Sequence, residues 1–153
     1  QGSQKWVKLN NHSSSIEAAK TLKKKGFKLF GTTLNKNSID YRKLDFTQNT
    51  CIVLGAEKWG LSEELIAEVD ECIYIPMSGM VQSLNVSVAA SILLFEAIRQ
   101  RDNKDLLPQN GEGIDEQEYQ KTLFEWTYPK IKNSYKKNGN AYPKLDENGE
   151  IYK

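Results

Sequence analysis

The 153-residue chain has very few of the residues that build metal centres, disulfide frameworks and histidine-based active sites. It contains two cysteines, Cys51 and Cys72, and one histidine, His12. Neither cysteine has CxxC or Cys/His spacing, and each begins a short apolar run typical of a buried strand, so we interpret both as reduced core residues. His12 lies in a polar stretch that indicates an exposed loop, and it cannot by itself complete a catalytic triad or a zinc site. We therefore expect no metal.

Longer sequence features are also absent. No apolar run approaches the roughly 20 residues that span a bilayer, and the N-terminus lacks the charged-then-apolar order of a signal peptide. These absences predict a cytoplasmic protein that does not enter a membrane. Neither GxGxxG nor GxxxxGK[ST] occurs, which disfavours a dinucleotide or nucleoside triphosphate ligand. Because the chain begins with Gln1 rather than Met, we expect a fragment or a processed product.

The lysines are unevenly distributed, although the net charge is only +1. No acid occurs between Glu17 and Asp40 or between Glu125 and Asp146, and we call these the first and second lysine windows. They contain, respectively, Lys20, Lys23, Lys24, Lys25, Lys28 and Lys36, and Lys130, Lys132, Lys136, Lys137 and Lys144. Each window is either a solvated helix face or a surface for a phosphate backbone, and charge alone does not choose between them.

Short apolar runs alternate with helical patterns, which predicts an α/β fold with a parallel sheet. The segments KWVKLN, FKLFGTTL, CIVLGAE and CIYIP are predicted strands. Helices are predicted after the cap at 13–15, in LSEELIAEVD with Ser62 as N-cap, and in LNVSVAASILLFEAIRQR. The segment DNKDLLPQNGEG is a predicted linker between a domain of residues 1–102 and a helical extension of residues 103–153. We expect two helices separated near Pro129 in that extension, and then an irregular tail.

Three predicted strands end in loops of small and polar residues. These loops are Gly31-Thr32-Thr33, Gly55-Ala56-Glu57 followed by Gly60, and IPMSG. In open α/β sheets ligands bind beyond the carboxyl ends of the strands, so the three loops together predict a cofactor pocket. In IPMSGMVQSLNVS, the residues Ser83, Asn85 and Ser87 come immediately ahead of the longest apolar run of the chain. A helix needs only one N-cap, so the others require a second role.

Two ordered motifs resemble those of a known family. The segments IVLGAEKWGLS and IPMSGMVQSLNVSVAASILLFE resemble the second and third signature motifs of the SpoU/TrmH family of RNA 2′-O-methyltransferases, within the SPOUT superfamily. GSQKWV resembles the segment after the family's first motif. AYPKLDENGEI resembles the C-terminal tail of the tRNA guanosine-2′-O-methyltransferase branch, whereas the ribosomal-RNA branch is less similar there.

The resemblance implies a parallel sheet flanked by helices, with a C-terminal trefoil knot that forms a pocket for S-adenosyl-L-methionine, and a helical extension. The implied cofactor-binding residues are Thr32, Leu54, Gly55, Gly60, Ile75, Met77 and Leu84. The implied catalytic residues are Glu57, Ser83 and Asn85. Of these, Asn85 and Ser83 would position the loop and the substrate ribose, and Glu57 would fix the second loop or its basic partner.

The implied reaction is attack of a ribose 2′-hydroxyl on the sulfonium methyl group, for which the protein orients the reactants and helps to remove the hydroxyl proton. The family's first motif supplies an Asn and an Arg that acts on the hydroxyl, and this motif would lie before Gln1. Arg42, in DYRKLDF, belongs to a different segment of the pattern and is no substitute. We therefore expect an RNA 2′-O-ribose methyltransferase, of which this chain carries the cofactor half of the site without its general base, so that the fragment as given can lack activity.

The implied partners are a folded RNA, most consistent with tRNA, and a second copy of the chain in a homodimer. Arg99 and Arg101 join the two lysine windows as candidate RNA contacts. The apolar residues Leu123, Phe124, Trp126 and Tyr128 serve either the dimer or the core of their own domain. Two alternatives stay open, a ribosomal-RNA 2′-O-methyltransferase and a non-catalytic RNA-binding remnant of the fold.

Overall fold

The chain divides into two compact units, Gln1–Leu107 and Pro108–Lys153. The computed structural model describes residues 7–56, 58–80, 83–108, 113–146 and 148–152. Among the described residues, the first unit contains the sheet, three α-helices and a 3-10 helix (Tyr41–Lys43), and the second contains two further α-helices. No helix among the described residues is long and apolar enough to cross a membrane.

A parallel sheet of four strands forms the centre of the first unit. The strands are β1 (Lys28–Thr32), β2 (Ile39–Asp40), β3 (Thr50–Val53) and β4 (Glu71–Tyr74), in the spatial order β2-β4-β1-β3. Every pairing is parallel, which confirms the predicted fold class. The sequence did not predict β2, because two residues are too few to show a strand period.

The prediction of a strand in KWVKLN is wrong for residues 7–10, which are the part of this segment that the structure describes. Val7 to Asn10 form no strand, and Val7 and Leu9 are 60% and 68% exposed. Exposed apolar side chains without a paired neighbour gain neither ladder hydrogen bonds nor burial, which are what stabilise a strand.

Three capped helices flank the sheet. Helix α1 (Ser15–Lys24) has Ser14 as N-cap, and α2 (Glu63–Glu68) has Ser62, whose Oγ accepts from Leu65 N at 3.2 Å. Both helices confirm their predicted caps. Helix α3 (Val86–Asp102) begins two residues later than predicted, because Asn85 caps it and Leu84 precedes the cap.

Two apolar layers cover opposite faces of the sheet, since successive residues of a strand point to opposite sides. On one face, Leu29 packs with buried residues from α1 and from the segment ending in α2: Ala19, Leu61 and Leu65. On the other face, Phe30 packs with Phe46, Ile73 and Leu93, the last of which lies on α3. The rings of Phe30 and Phe46 meet edge to face, with centroids 5.5 Å apart.

The second unit has a small aromatic core of its own. Helices α4 (Glu116–Thr127) and α5 (Lys132–Asn138) confirm the two helices predicted on either side of Pro129. Phe124 is fully buried and stacks on Tyr142 at 4.6 Å between centroids, with Tyr128 and Tyr135 also in contact. Of the two roles considered for Phe124 and Tyr128, packing within their own domain is therefore the observed one.

A polar cluster closes this aromatic core. Glu125 accepts from Lys136 Nζ at 2.9 Å and from the hydroxyl of Tyr142 at 3.1 Å. Burial opposes ionisation of Glu125, but these hydrogen bonds outweigh it and lower the pKa of the carboxyl. The tail is not irregular throughout, because Leu145 and Ile151 form an antiparallel bridge and Leu145 is buried.

Candidate functional site

A cavity of about 450 Å³ opens at the carboxyl edge of the sheet. It lies where β1 and β4 end and where the chain approaches α3, which is the usual ligand position in an open parallel sheet. Its volume is within the range of small-molecule sites. The lining residues are Thr32, Thr33, Leu34, Ile73, Tyr74, Ile75, Met77, Gly79, Ser83, Leu84 and Ala89.

Five of the residues predicted from the sequence meet in this cavity. Four are from the cofactor set, namely Thr32, Ile75, Met77 and Leu84, and one, Ser83, is from the catalytic set. Residues that are distant in the chain converge because β1 and β4 are adjacent, with Thr32 opposite Ile73. The sequence did not single out Tyr74, although its place in the apolar run CIYIP next to Ile75 is a usable signal.

The loop after β3 lies beside the cavity, and none of its described residues lines it. Leu54 packs against the apolar layer that contains Phe46, while Gly55 and Gly60 close a tight turn. A Cβ on Gly55 would lie 2.4 Å from the carbonyl carbon of Gly60, and Gly60 has φ +67. These two glycines are therefore explained by the turn itself. Glu57, the remaining predicted residue of this loop, lies outside the described residues.

The polar side chains around the cavity have different structural roles. The Oδ1 atom of Asn85 accepts from Ser87 N at 2.8 Å and so caps α3. Thr32 donates its hydroxyl to Val53 O at 3.2 Å, which ties β1 to the start of the loop after β3. Ser83 is exposed and lines the cavity. The polar stretch before α3 thus contains the cap Asn85 and the cavity residue Ser83, and Ser87 lies in the first turn of the helix.

The chemistry available in the cavity is that of binding. Its described lining includes no carboxylate, imidazole, thiol, lysine or arginine. Arg42 is not among the lining residues either, since its guanidinium Nε donates to Asp40 at 3.0 Å. That hydrogen bond lowers the pKa of Asp40 to about 2 and holds both side chains at the edge strand β2. Among the described residues, no group of three metal-ligating side chains comes together.

Several of the candidate RNA-binding cations have intramolecular partners. In the first lysine window, Lys20 pairs with Glu68 at 3.4 Å and Lys23 with Asp70 at 3.5 Å. Arg101 donates to Phe46 O at 3.0 Å, and Arg99 donates to Glu96 at 2.8 Å. These contacts, together with the Lys136–Glu125 pair, give five of the cations a structural role in addition to any role in RNA binding.

Sequence comparison assigns the chain to a family. Residues 1–95 match the model of the SpoU rRNA methylase family, and residues 99–153 match that of the C-terminal region of SpoU rRNA methylases. The chain belongs to the SpoU rRNA methylase family. Both units are thus accounted for, and the resemblance of the two motifs is confirmed.

Individual relatives in the SpoU family differ in how much of the chain they match. The tRNA (guanosine(18)-2′-O)-methyltransferase of Escherichia coli K12 is 42% identical over 150 residues, which are 98% of this chain and 66% of that protein. The 23S rRNA (guanosine-2′-O-)-methyltransferase of Acinetobacter baylyi is 50% identical over 74 residues, 48% of this chain and 30% of that protein. The chain therefore spans just under two thirds of the length of its tRNA-modifying relative.

Two solved structures share the fold. The TrmH/SpoU tRNA modifying enzyme of Aquifex aeolicus matches with a TM-score of 0.74 and 40% identity, over 85% of this chain and 65% of that one. The SpoU methyltransferase AviRb of Streptomyces viridochromogenes, solved in complex with the cofactor AdoMet, matches with a TM-score of 0.53 and 34% identity, over 59% of this chain and 37% of that one. The parallel sheet and its flanking helices are thus those of the SpoU/TrmH structures.

Proposed function

We propose that this chain binds S-adenosyl-L-methionine in the cavity at the carboxyl edge of the sheet and forms the cofactor half of an RNA 2′-O-methyltransferase. The observation that carries the proposal is the convergence of Thr32, Ile75, Met77, Ser83 and Leu84 on one cavity. Thr32 ends β1, whereas the other four residues belong to the segment IPMSGMVQSLNVS. A SpoU methyltransferase of the same fold was solved in complex with AdoMet.

The cavity fits such a cofactor in size and in chemistry. Apolar side chains of Ile75, Met77 and Leu84 form a surface for a purine ring, and the hydroxyls of Thr33 and Ser83 offer hydrogen bonds to a ribose or an amino acid group. The Gly55–Gly60 turn holds the chain beyond β3 close to this edge. When bound, S-adenosylmethionine supplies an electrophilic methyl group.

The chain's own residues then bind and orient the reactants. Ser83 and Asn85 position the acceptor ribose, Asn85 with the amide N–H groups that its capping bond leaves available. Glu57 fixes the loop after β3. Because the described lining contains no group that accepts a proton near neutral pH, the base for the 2′-hydroxyl lies outside this lining.

We propose tRNA as the substrate, and the guanosine at position 18 as the nucleotide. The match to the E. coli tRNA enzyme extends over nearly the whole chain and so includes the second unit, whereas the match to the 23S rRNA enzyme covers less than half of it. A ribosomal-RNA substrate is the second candidate, since the two classes share the cavity motifs.

We also propose a homodimer, the trefoil knot and a cytoplasmic location. The dimer is supported by α3, which is apolar on two sides. Leu93 is buried against the sheet, whereas Leu94, Phe95 and Ile98 on the outward side are 54%, 71% and 47% exposed. An exposed apolar stripe on a helix whose other side is already buried is a surface that a second protein can cover. The knot is what the resemblance to the SpoU/TrmH family implies, and the chain matches the SpoU family model over residues 1–95.

Calorimetric titration with S-adenosylmethionine and S-adenosylhomocysteine tests the proposed cofactor site. We expect saturable binding that Leu84→Glu abolishes, because the substitution places a charge in a mostly apolar cavity. The matched control is Leu106→Glu, the same change at a half-exposed residue beyond the far end of α3. Undiminished binding by folded Leu84→Glu, or equal loss in both variants, contradicts the assignment of the cavity.

A further inference from the structure

A tryptophan projects into solvent from the turn that follows β3. Trp59 is 79% exposed, which is unusual for a side chain whose burial is so favourable. The ammonium group of Lys58 lies 4.7 Å from the centroid of the indole ring. With a cation on one face and this degree of exposure, the indole presents a large free aromatic surface.

The turn that carries Trp59 is closed by backbone hydrogen bonds. Ala56 N donates to Gly60 O at 2.9 Å, and Gly60 N donates to Ala56 O at 2.7 Å. Gly55 admits no side chain, and Gly60 supplies the positive φ. The backbone that carries the indole is therefore already ordered. Binding of a ligand to the indole requires little further ordering of this turn.

The turn and the cavity lie at the same edge of the sheet. Val53, the last residue of β3, pairs with Gly31 and accepts the hydroxyl hydrogen bond of Thr32, which lines the cavity. A nucleotide whose ribose reaches the cavity thus has its base, or the base of a neighbouring nucleotide, near this turn.

We propose that Trp59 is a positioning residue that stacks on a nucleobase of the bound RNA, at the methylated nucleotide or one adjacent to it. The proposal rests on the proposed function and adds a specific base contact to it. Base–aromatic stacking needs no complementary charge, and an adjacent cation can add a cation–π contact to the base. A second copy of the chain is not the proposed partner of Trp59, since the proposed dimer surface is the exposed apolar side of α3.

The test combines protein variants with RNA lacking single bases. Equilibrium dissociation constants are measured for the full chain with an unmodified tRNA transcript and with transcripts carrying an abasic site at position 17, 18 or 19. We expect Trp59→Leu to weaken binding of the unmodified transcript about tenfold. For one of the three abasic transcripts, we expect Trp59→Leu and the wild-type chain to bind with the same dissociation constant, because the base that Trp59 stacks on is already missing.

Two controls accompany this cycle. Trp59→Tyr keeps an aromatic face and retains most of the affinity, and Tyr152→Leu removes an exposed aromatic of the second unit without coupling to any abasic site. The slope of log Kd against log salt is unchanged in Trp59→Leu, since no phosphate contact is lost. Thermal melting verifies that each variant is folded.

The outcomes separate this proposal from the proposed function. If Trp59→Leu weakens the binding of all four transcripts by the same factor, or weakens none of them, base stacking is overturned while RNA binding stands. Loss of the dimer on sedimentation of Trp59→Leu assigns the residue to a protein interface and also overturns it. If the wild-type chain binds no tRNA, both the stacking and the RNA substrate fail, whereas cofactor binding by calorimetry is judged separately.

Discussion

At the scale of single residues, Asn85 shows how one side chain of a sequence motif serves the fold. Its Oδ1 accepts from Ser87 N at 2.8 Å and satisfies one of the free N–H groups at the start of α3. The proposed role in orienting the ribose needs the remaining atoms of the same amide. Stability and function at this position must therefore be measured separately.

We predict that Asn85→Ala destabilises the first turn of α3 by about 1 kcal/mol, because the cap bond is lost. Hydrogen exchange measures this directly, as several-fold faster exchange of the Ser87 amide. Asn85→Ser is the matched control, since serine caps equally well and should keep the amide protected while removing the amide donors. If exchange at Ser87 is the same in all three proteins, the capping bond contributes nothing.

At the scale of elements, α3 is the helix that joins the core to the cavity. Its buried side places Leu93 on the sheet, and its first turn follows Leu84 at the cavity. Gln100, near the end of α3, donates from Nε2 to Leu44 O and accepts from Phe46 N at Oε1. These two hydrogen bonds hold the segment that leads to β3. The residues Val88, Ser91, Phe95 and Ile98 follow one another at helical spacing on the outward side.

We predict that Phe95→Glu converts the proposed homodimer to a monomer, because it places a charge at the centre of the exposed apolar side of α3. Sedimentation equilibrium measures the change. Leu106→Glu, beyond the end of the helix, should leave the dimer intact. A wild-type chain that sediments as a monomer, or a Phe95→Glu variant that still dimerises, excludes this side of α3 as the interface.

At the scale of the whole molecule, the two units have separate apolar cores. The sheet unit has two layers around Leu29 and Phe30, whereas the second unit is held by Phe124 and the tyrosines around it. Every described residue that lines the cavity belongs to the first unit. The proposed cofactor site is therefore built, over these residues, from the first unit.

We predict that Phe124→Ala unfolds the second unit without abolishing S-adenosylmethionine binding. Removal of a fully buried phenylalanine costs about 3–5 kcal/mol, which a unit of this size cannot spare. Hydrogen exchange of α4 and α5 reports the unfolding, and calorimetry reports the cofactor. Tyr119→Ala, at an exposed position of α4, should change neither. If Phe124→Ala abolishes cofactor binding while the first unit stays folded, the two units are coupled.

The sequence by itself determined the parallel α/β class, the cap Ser62, the two helices around Pro129 and the family. Each of these depends on local chemistry or on an ordered motif, which a linear pattern contains. Only the tertiary structure decided which motif residues meet. Thr32 and Leu84 share a cavity because β1 and β4 are neighbours, whereas Gly55 and Gly60 serve a turn. It also decided that Lys20 and Lys23 pair with acids far along the chain, since long-range pairing has no periodic signature in sequence.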